Sequence, residues 1–450
     1  MTSKRIITLF LSIITILSLI GPVSGCNLDG QTPDQDKIIS PPTPEEMLAR
    51  RIENAGGTSS PYFFDGSLPT PAPEGYKPFF ISHFGRHGSR CHTSVEMMES
   101  LVKTFSEAET SDILTPFGKV ISKKVIDACG HMIPKAGELS EVGMNEHRGI
   151  AERMYNNYPE VFRAEKTGSP DIVAESTTSH RCILSMDSFT DRLKEMDSDI
   201  SISKQADSKT SGYLNHYTKE YKEYYNNGPW KQIRDDWNKK NILPGRIIRS
   251  IFTSFDQFDG KPAGSRARRL VQNLYSLNAI LPASGLDIRL NEVFNDEERL
   301  ALWKSIDMDQ YLRKGPSAVG GTLPESIALP LLKDFLSSGK SAVENPDKLD
   351  AKLRFGHGEG LMPLAALMDI SDACKVESDP DKFYLAWQDF RISPMGGNIQ
   401  WIFFRNKKGK VLVKILLNER ESRIPVKTDN WPFYEWSKVY GYYMNLIKSY

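Results

Sequence analysis

Three short apolar runs, each closing on a polar cluster, constrain this chain more than any other feature. Tyr76-Lys77-Pro78-Phe79-Phe80-Ile81-Ser82, Asp171-Ile172-Val173-Ala174-Glu175-Ser176 and Leu353-Arg354-Phe355-Gly356-His357 read as buried strands. Each is followed by helical periodicity. Met144, His147, Ala151 and Met154 share one helix face behind a capping Ser140; a helix runs through Arg181 to Phe189, and another from Leu361 to Met368. Between about Ser201 and Asp347 the character changes: Tyr, Trp, Asn and Lys are frequent, the period is helical and strand-like runs are few. Strand–helix alternation broken by such a block predicts an α/β core carrying an inserted, mainly α-helical domain. Ile399–Phe404 and Val411–Leu417 flank the turn Asn406-Lys407-Lys408-Gly409, a β-hairpin pattern. Trp230, Trp237 and Trp303 are expected in the core of the helical block.

The 450 residues carry 57 basic and 57 acidic side chains. A general nucleic-acid binder would show a basic excess, so an anionic ligand must be met by a local basic pocket. At the N-terminus, Lys4 and Arg5 precede an apolar run from Ile6 to Ile20 that ends at Gly21-Pro22-Val23-Ser24-Gly25-Cys26. This is the pattern of a secretory signal, and Val23-Ser24-Gly25-Cys26 resembles a bacterial lipobox, in which the Cys carries the lipid. The expected organisation is a signal peptide over 1–25 and a polar, Pro-rich tether over 26–60. A catalytic core over 61–199 and 348–450 and a helical lid over 200–347 complete it. The other cysteines, Cys91, Cys129, Cys182 and Cys374, form no CxxC pair, and nothing in their spacing marks a metal site.

The chemistry gathers at the ends of the three strand-like runs, where ligands bind in open α/β sheets. After the first comes Arg86-His87-Gly88-Ser89-Arg90. Guanidinium groups stay charged and offer forked donors to phosphate oxygens, and a neutral imidazole can attack phosphorus. After the second comes Ser176-Thr177-Thr178-Ser179-His180-Arg181, and after the third Gly356-His357-Gly358-Glu359.

Arg-His-Gly-x-Arg after a first core strand resembles the histidine acid phosphatase superfamily, clade 2, which includes phytases. The resemblance implies a phosphoglycerate-mutase-like core with a mixed central sheet flanked by helices. It implies that His87 is the nucleophile, that Arg86, Arg90, Arg181 and His357 bind the phosphate, and that Glu359 is the proton donor. His180 is expected at the rim. Where the family has Pro after the second Arg, this chain has His92. His357-Gly358-Glu359 resembles the His-Ala-Glu of one branch, the multiple inositol polyphosphate phosphatases, with Gly in place of Ala. That branch implies inositol hexakisphosphate and lower inositol phosphates as substrates, with no metal or organic cofactor. Glu359 would then hold its proton through a raised pKa. Lys261, Arg266 and Arg268 are candidates for holding non-reacting phosphates, and Asn398 for lining the site. The expected location is the periplasmic face of the outer membrane or the cell surface, as a secreted, lipid-anchored, monomeric bacterial protein. Two other readings stay open: a broad acid phosphatase acting on sugar or glycerol phosphates, and a phospho-ligand-binding lipoprotein without turnover.

Overall fold

A computed structural model describes residues 42–162, 171–255, 263–346 and 348–450. Eight strands form one mixed sheet: β1 (Tyr76–Arg86), β2 (Asp171–Ser176), β3 (Ser201–Ala206), β4 (Ala351–Gly356), β5 (Asn398–Asn406), β6 (Val411–Leu417), β7 (Arg420–Glu421) and β8 (Phe433–Glu435). Their order is β3-β2-β4-β1-β5-β6-β7, with β8 also pairing with β6. The four strands from β3 to β1 run parallel; β5 is antiparallel to β1 and β6 to β5, as the hairpin pattern predicts.

Alternation along the strands divides the core in two. Phe80 and Phe84 of β1 join Ile399, Trp401 and Phe403 of β5 on one face, beneath helices Leu329–Glu344, Gly358–Leu367 and Trp436–Ser449. Ile81, Leu353, Phe355 and Ile402 look the other way, toward helices Glu141–Asn157 and His180–Met196. Ser140 caps the first of these, its hydroxyl accepting from the Gly143 amide. Burying each of these large apolar side chains contributes about 1.5–3 kcal/mol.

Three expectations are corrected. Residues 42–60 are not a tether: Thr43 closes a capping box with Glu46 ahead of helix Pro44–Arg50, whose first position is proline. The 3-10 segment Ile52–Ser59 then packs Ala55, Gly56 and Gly57 inside. A second correction is that Ser201–Ala206 opens no helical block but forms β3. Among the described residues it pairs with β2 alone, and its mostly exposed side chains leave no apolar run to mark a strand. Third, the helical layer is not made by residues 200–347 alone. Helices Val95–Thr110 and Pro116–Met132 share its core, and the Thr115 amide bonds the Ile251 carbonyl at 3.0 Å. Trp230, Trp237 and Trp303 are buried there, as expected.

Cys26 and the signal-like segment lie outside the described residues. Among those described, no helix is long and apolar enough to cross a membrane.

Candidate active site

The connections of the sheet fix where a ligand can sit. From β1 the chain crosses past β4 to β2, whereas from β4 it passes β1 to reach β5. Neighbouring strands whose connections leave in opposite directions open a crevice at their carboxyl ends. Arg86 pairs there with Gly356 in register, and the His87 amide bonds the Gly356 carbonyl at 2.9 Å. The clusters after β1, β2 and β4 therefore meet at one edge.

The His87 ring is buried, 5.7 Å from the His357 ring between centroids. Its Nδ1 lies 2.9 Å from the Gly88 carbonyl, which can only accept, so Nδ1 carries the hydrogen and Nε2 keeps its lone pair. Burial first, then the charges of Arg86, Arg90, Arg181 and His357, hold this imidazole well below the ordinary histidine range. The His357 Nδ1 accepts from Arg181 Nη2 at 3.3 Å, which leaves Nε2–H to donate to Thr177 Oγ1 at 3.3 Å. Arg86 Nη1 donates to the carbonyls of Thr58 and Ser393 at 2.6 and 2.7 Å. The Nε–H groups of Arg86, Arg90 and Arg181 are buried with no hydrogen-bond partner among the described residues. Burial and mutual repulsion lower Arg86 to about 10 and Arg90 to about 9, so both remain cationic near neutral pH. Buried donors left unmet among the described residues beside a neutral imidazole suit an anion.

Residues 85–418 match the family profile of the histidine phosphatase superfamily (branch 2). The chain belongs to that family. This histidine phosphatase is 21% identical to human multiple inositol polyphosphate phosphatase 1 over 337 residues, 70% of this chain and 67% of the relative. Among solved structures it resembles the Bifidobacterium longum multiple inositol polyphosphate phosphatase in complex with inositol hexasulfate. The TM-score is 0.72 at 20% identity, over 85% of this chain and 96% of that one. The D. castellii phytase aligns with a TM-score of 0.64 at 14% identity, over 94% and 90%.

The His87 loop of this phosphatase is held from three sides. Glu146 accepts from the Ser89 amide at 2.7 Å, the Ser89 hydroxyl at 2.6 Å and the Tyr62 amide at 2.7 Å. Gly88 packs backbone to backbone against helix Glu141–Asn157; a Cβ there would lie 2.5 Å from the Gly143 carbonyl oxygen. The turn before β5 completes the grip, with the Gly396 amide on the His87 carbonyl at 3.0 Å and the Arg86 amide on the Gly397 carbonyl at 2.8 Å. At the loop exit His92 does a different job from proline. Its Nδ1 accepts from the Ser94 amide at 2.9 Å, and its Nε2–H points to Ser276 Oγ at 3.1 Å, tying the loop to the helical layer.

One expectation about Glu359 is overturned. Burial would raise its pKa, but the charge and hydrogen bond of Lys314, followed by His357 and Arg86, outweigh burial and hold it below the ordinary carboxylate range. Lys314 Nζ lies 2.9 Å from Glu359 Oε1, and nothing in the sequence around Arg313-Lys314-Gly315 singles it out. Arg266 donates to the Phe255 carbonyl at 2.7 Å, and Arg268 to those of Ile242 and Lys239, so both brace backbone of the helical layer. Lys261 lies outside the described residues. Asn398 is fully buried and does not line the cleft. It bonds the Tyr62 hydroxyl and the Gly396 carbonyl, both at 3.2 Å, and so steadies the turn that holds His87. His180 is exposed and pairs with Glu138 at 2.6 Å.

Proposed function

We propose that this phosphatase works through a phosphohistidine at His87 and that its substrates are inositol polyphosphates, inositol hexakisphosphate foremost. The observation that carries the reading is the set of buried donors on Arg86, Arg90 and Arg181, unmet among the described residues, around a neutral imidazole whose Nδ1 is taken by the Gly88 carbonyl. The names of the relatives supply the substrate class.

The transferred phosphoryl group lies among Arg86, Arg90, Arg181 and His357. His87 Nε2 attacks phosphorus; the ester P–O bond breaks, its electron pair leaves on the sugar oxygen, and Glu359 protonates that oxygen. Glu359 then takes a proton from water as the water attacks phosphorus. The P–N bond breaks and its electron pair returns to Nε2. The guanidinium groups meet the charge on the equatorial oxygens in both steps.

Lipid attachment at Cys26 belongs to the same proposal, supported by Val23-Ser24-Gly25-Cys26 after an apolar run. A Cys26→Ala protein is expected in the soluble fraction while the wild type stays with membranes.

The substrate class is tested by phosphate release from inositol hexakisphosphate beside glucose 1-phosphate and glycerol phosphate, between pH 4 and 7.5. Preference for the inositol ester is expected. Preference for the simple esters would keep the mechanism and replace the substrate class with that of a broad acid phosphatase.

A further inference from the structure

The helical layer reaches into the catalytic cleft at one charged residue. Lys314 ends helix Asp296–Lys314, and its side chain is only 5% exposed. Its Nζ donates to Gln310 Oε1 at 2.7 Å and to Glu359 Oε1 at 2.9 Å. A buried ammonium needs a carboxylate partner, and the carboxylate that Lys314 bonds is the one on which proton transfer depends. The Glu359 side chain, by contrast, is 32% exposed, so its other face stays open to the cleft.

We propose that Lys314 is a positioning residue for Glu359, holding it as the carboxylate that draws a proton from water when the phosphohistidine is hydrolysed. This rests on the phosphohistidine reading above. The first half-reaction needs a protonated Glu359, and a phosphomonoester monoanion brings that proton. As the ester bond breaks, Glu359 relays that proton from the bound phosphate to the leaving oxygen, and the transferring group becomes the dianion the cations favour. The proton ends on the leaving alcohol, and Glu359 returns to the carboxylate beside Lys314. The water that attacks the phosphohistidine loses its proton to that carboxylate, and release of the phosphate monoanion carries the proton away.

Other groups face Glu359 from every side. Arg86 and Arg90 come from β1 and its loop, Cys182 from helix His180–Met196, and His357, which Arg181 bonds, from the end of β4. Tyr217 and Tyr221 come from the chain over the cleft, and Arg313 stands next to Lys314. Arg313 is committed to Asp309 and stacks on the Tyr225 ring at 4.6 Å. Arg86 is held by two carbonyls. Among the described residues Lys314 is therefore the cation that bonds the Glu359 carboxylate.

The test compares wild type with Lys314→Met and Lys314→Arg in two readouts. By ¹³C NMR of labelled glutamate, with no substrate present, the Glu359 carboxyl is expected to titrate about 1–3 pH units higher in Lys314→Met and near its wild-type position in Lys314→Arg. In kinetics with p-nitrophenyl phosphate, whose phenolate leaves without proton donation, the acid limb of kcat is expected to move up by the same amount in Lys314→Met. Below that limb a burst of one phenolate per enzyme should precede slow turnover, because the phosphoenzyme waits for a base. A Glu359 titration that is unmoved in Lys314→Met would overturn the ion-pair role. A moved titration with an unmoved acid limb would overturn the assignment to hydrolysis. A wild type inactive on every ester would instead overturn the phosphohistidine reading, with the titration still deciding the pair.

Discussion

His87 is kept neutral by burial and by the cations around it, and its tautomer is set by the Gly88 carbonyl. The same cations are the groups an anion would satisfy, so one arrangement keeps the imidazole neutral and draws an anion to it. Arg181 has two free-standing features: its Nη2 meets His357 Nδ1, and its Nε–H is buried with no partner among the described residues. Removing one donor of this kind lowers turnover by about 10²–10³-fold. Arg181→Ala is therefore expected to lose that much in kcat/KM for phosphate esters, with a far smaller loss of thermal stability. Arg181→Lys should recover only part, since a single ammonium cannot serve His357 and a phosphate oxygen in the forked geometry. Steady-state kinetics beside a melting curve check both.

At the scale of elements, the site depends on how closely helix Glu141–Asn157 approaches the nucleophile loop. A Cβ on Gly143 would lie 2.6 Å from the Ser89 amide nitrogen and 2.8 Å from Leu139 Cδ1. Neither the loop backbone nor the helix can yield without moving His87. Gly143→Ala is expected to cost about 1–3 kcal/mol in urea unfolding and to lower kcat more than tenfold, because the loop shifts while the rest of the core is untouched. Wild-type kcat in a folded Gly143→Ala protein would contradict this. The three strands and their helices were legible in the sequence because buried parallel strands are written as short apolar runs and their helices keep a clear period. β3 was not, since an edge strand with exposed side chains carries no such run. The segment 44–59 was hidden by its composition. Its helix is set by a capping box and an N-terminal proline, and its buried part uses small residues where apolar bulk would have been the signal. Asp389 holds it, accepting from the Thr58 amide at 2.9 Å while the Thr58 carbonyl takes Arg86. Arg86, His87, Arg90, Arg181, His357 and Glu359 sit in local strand-end clusters that sequence alone exposes. Lys314 and Glu146 reach the site from remote elements, and only the fold brings them there.

At the scale of the whole molecule, the pH dependence of stability is a difference between two sets of buried groups. His83 and His147 sit near the His87 loop against Phe355, and the His83 ring nitrogens have no hydrogen-bond partner among the described residues. Burial lowers both, His147 to about 4. Unfolded histidines titrate near 6.5, so between about pH 6.5 and 4 the unfolded chain binds more protons at these sites. Their contribution is complete above that window and falls as the solution is acidified through it. Asp369 and Asp389 carry the opposite sign, because burial raises both, Asp369 to about 7, and the folded chain then binds more protons. A single-site variant isolates one term. His147→Leu should gain stability relative to wild type as pH falls from 6.5 to 4, by up to about 3 kcal/mol. Urea unfolding at several pH values reads this out, and a constant difference across the window would contradict it.

The most direct measurement of the central claim is to stop turnover of inositol hexakisphosphate in alkali, where phosphohistidine survives, and to locate the phosphoryl group by peptide mass spectrometry. The expected result is a phosphoryl group on His87 in wild type, a larger amount of it in Glu359→Gln when p-nitrophenyl phosphate replaces the inositol ester, and neither phosphoenzyme nor phosphate release in His87→Ala. Sustained phosphate release by a folded His87→Ala protein, with no phosphohistidine in the wild type, would contradict it.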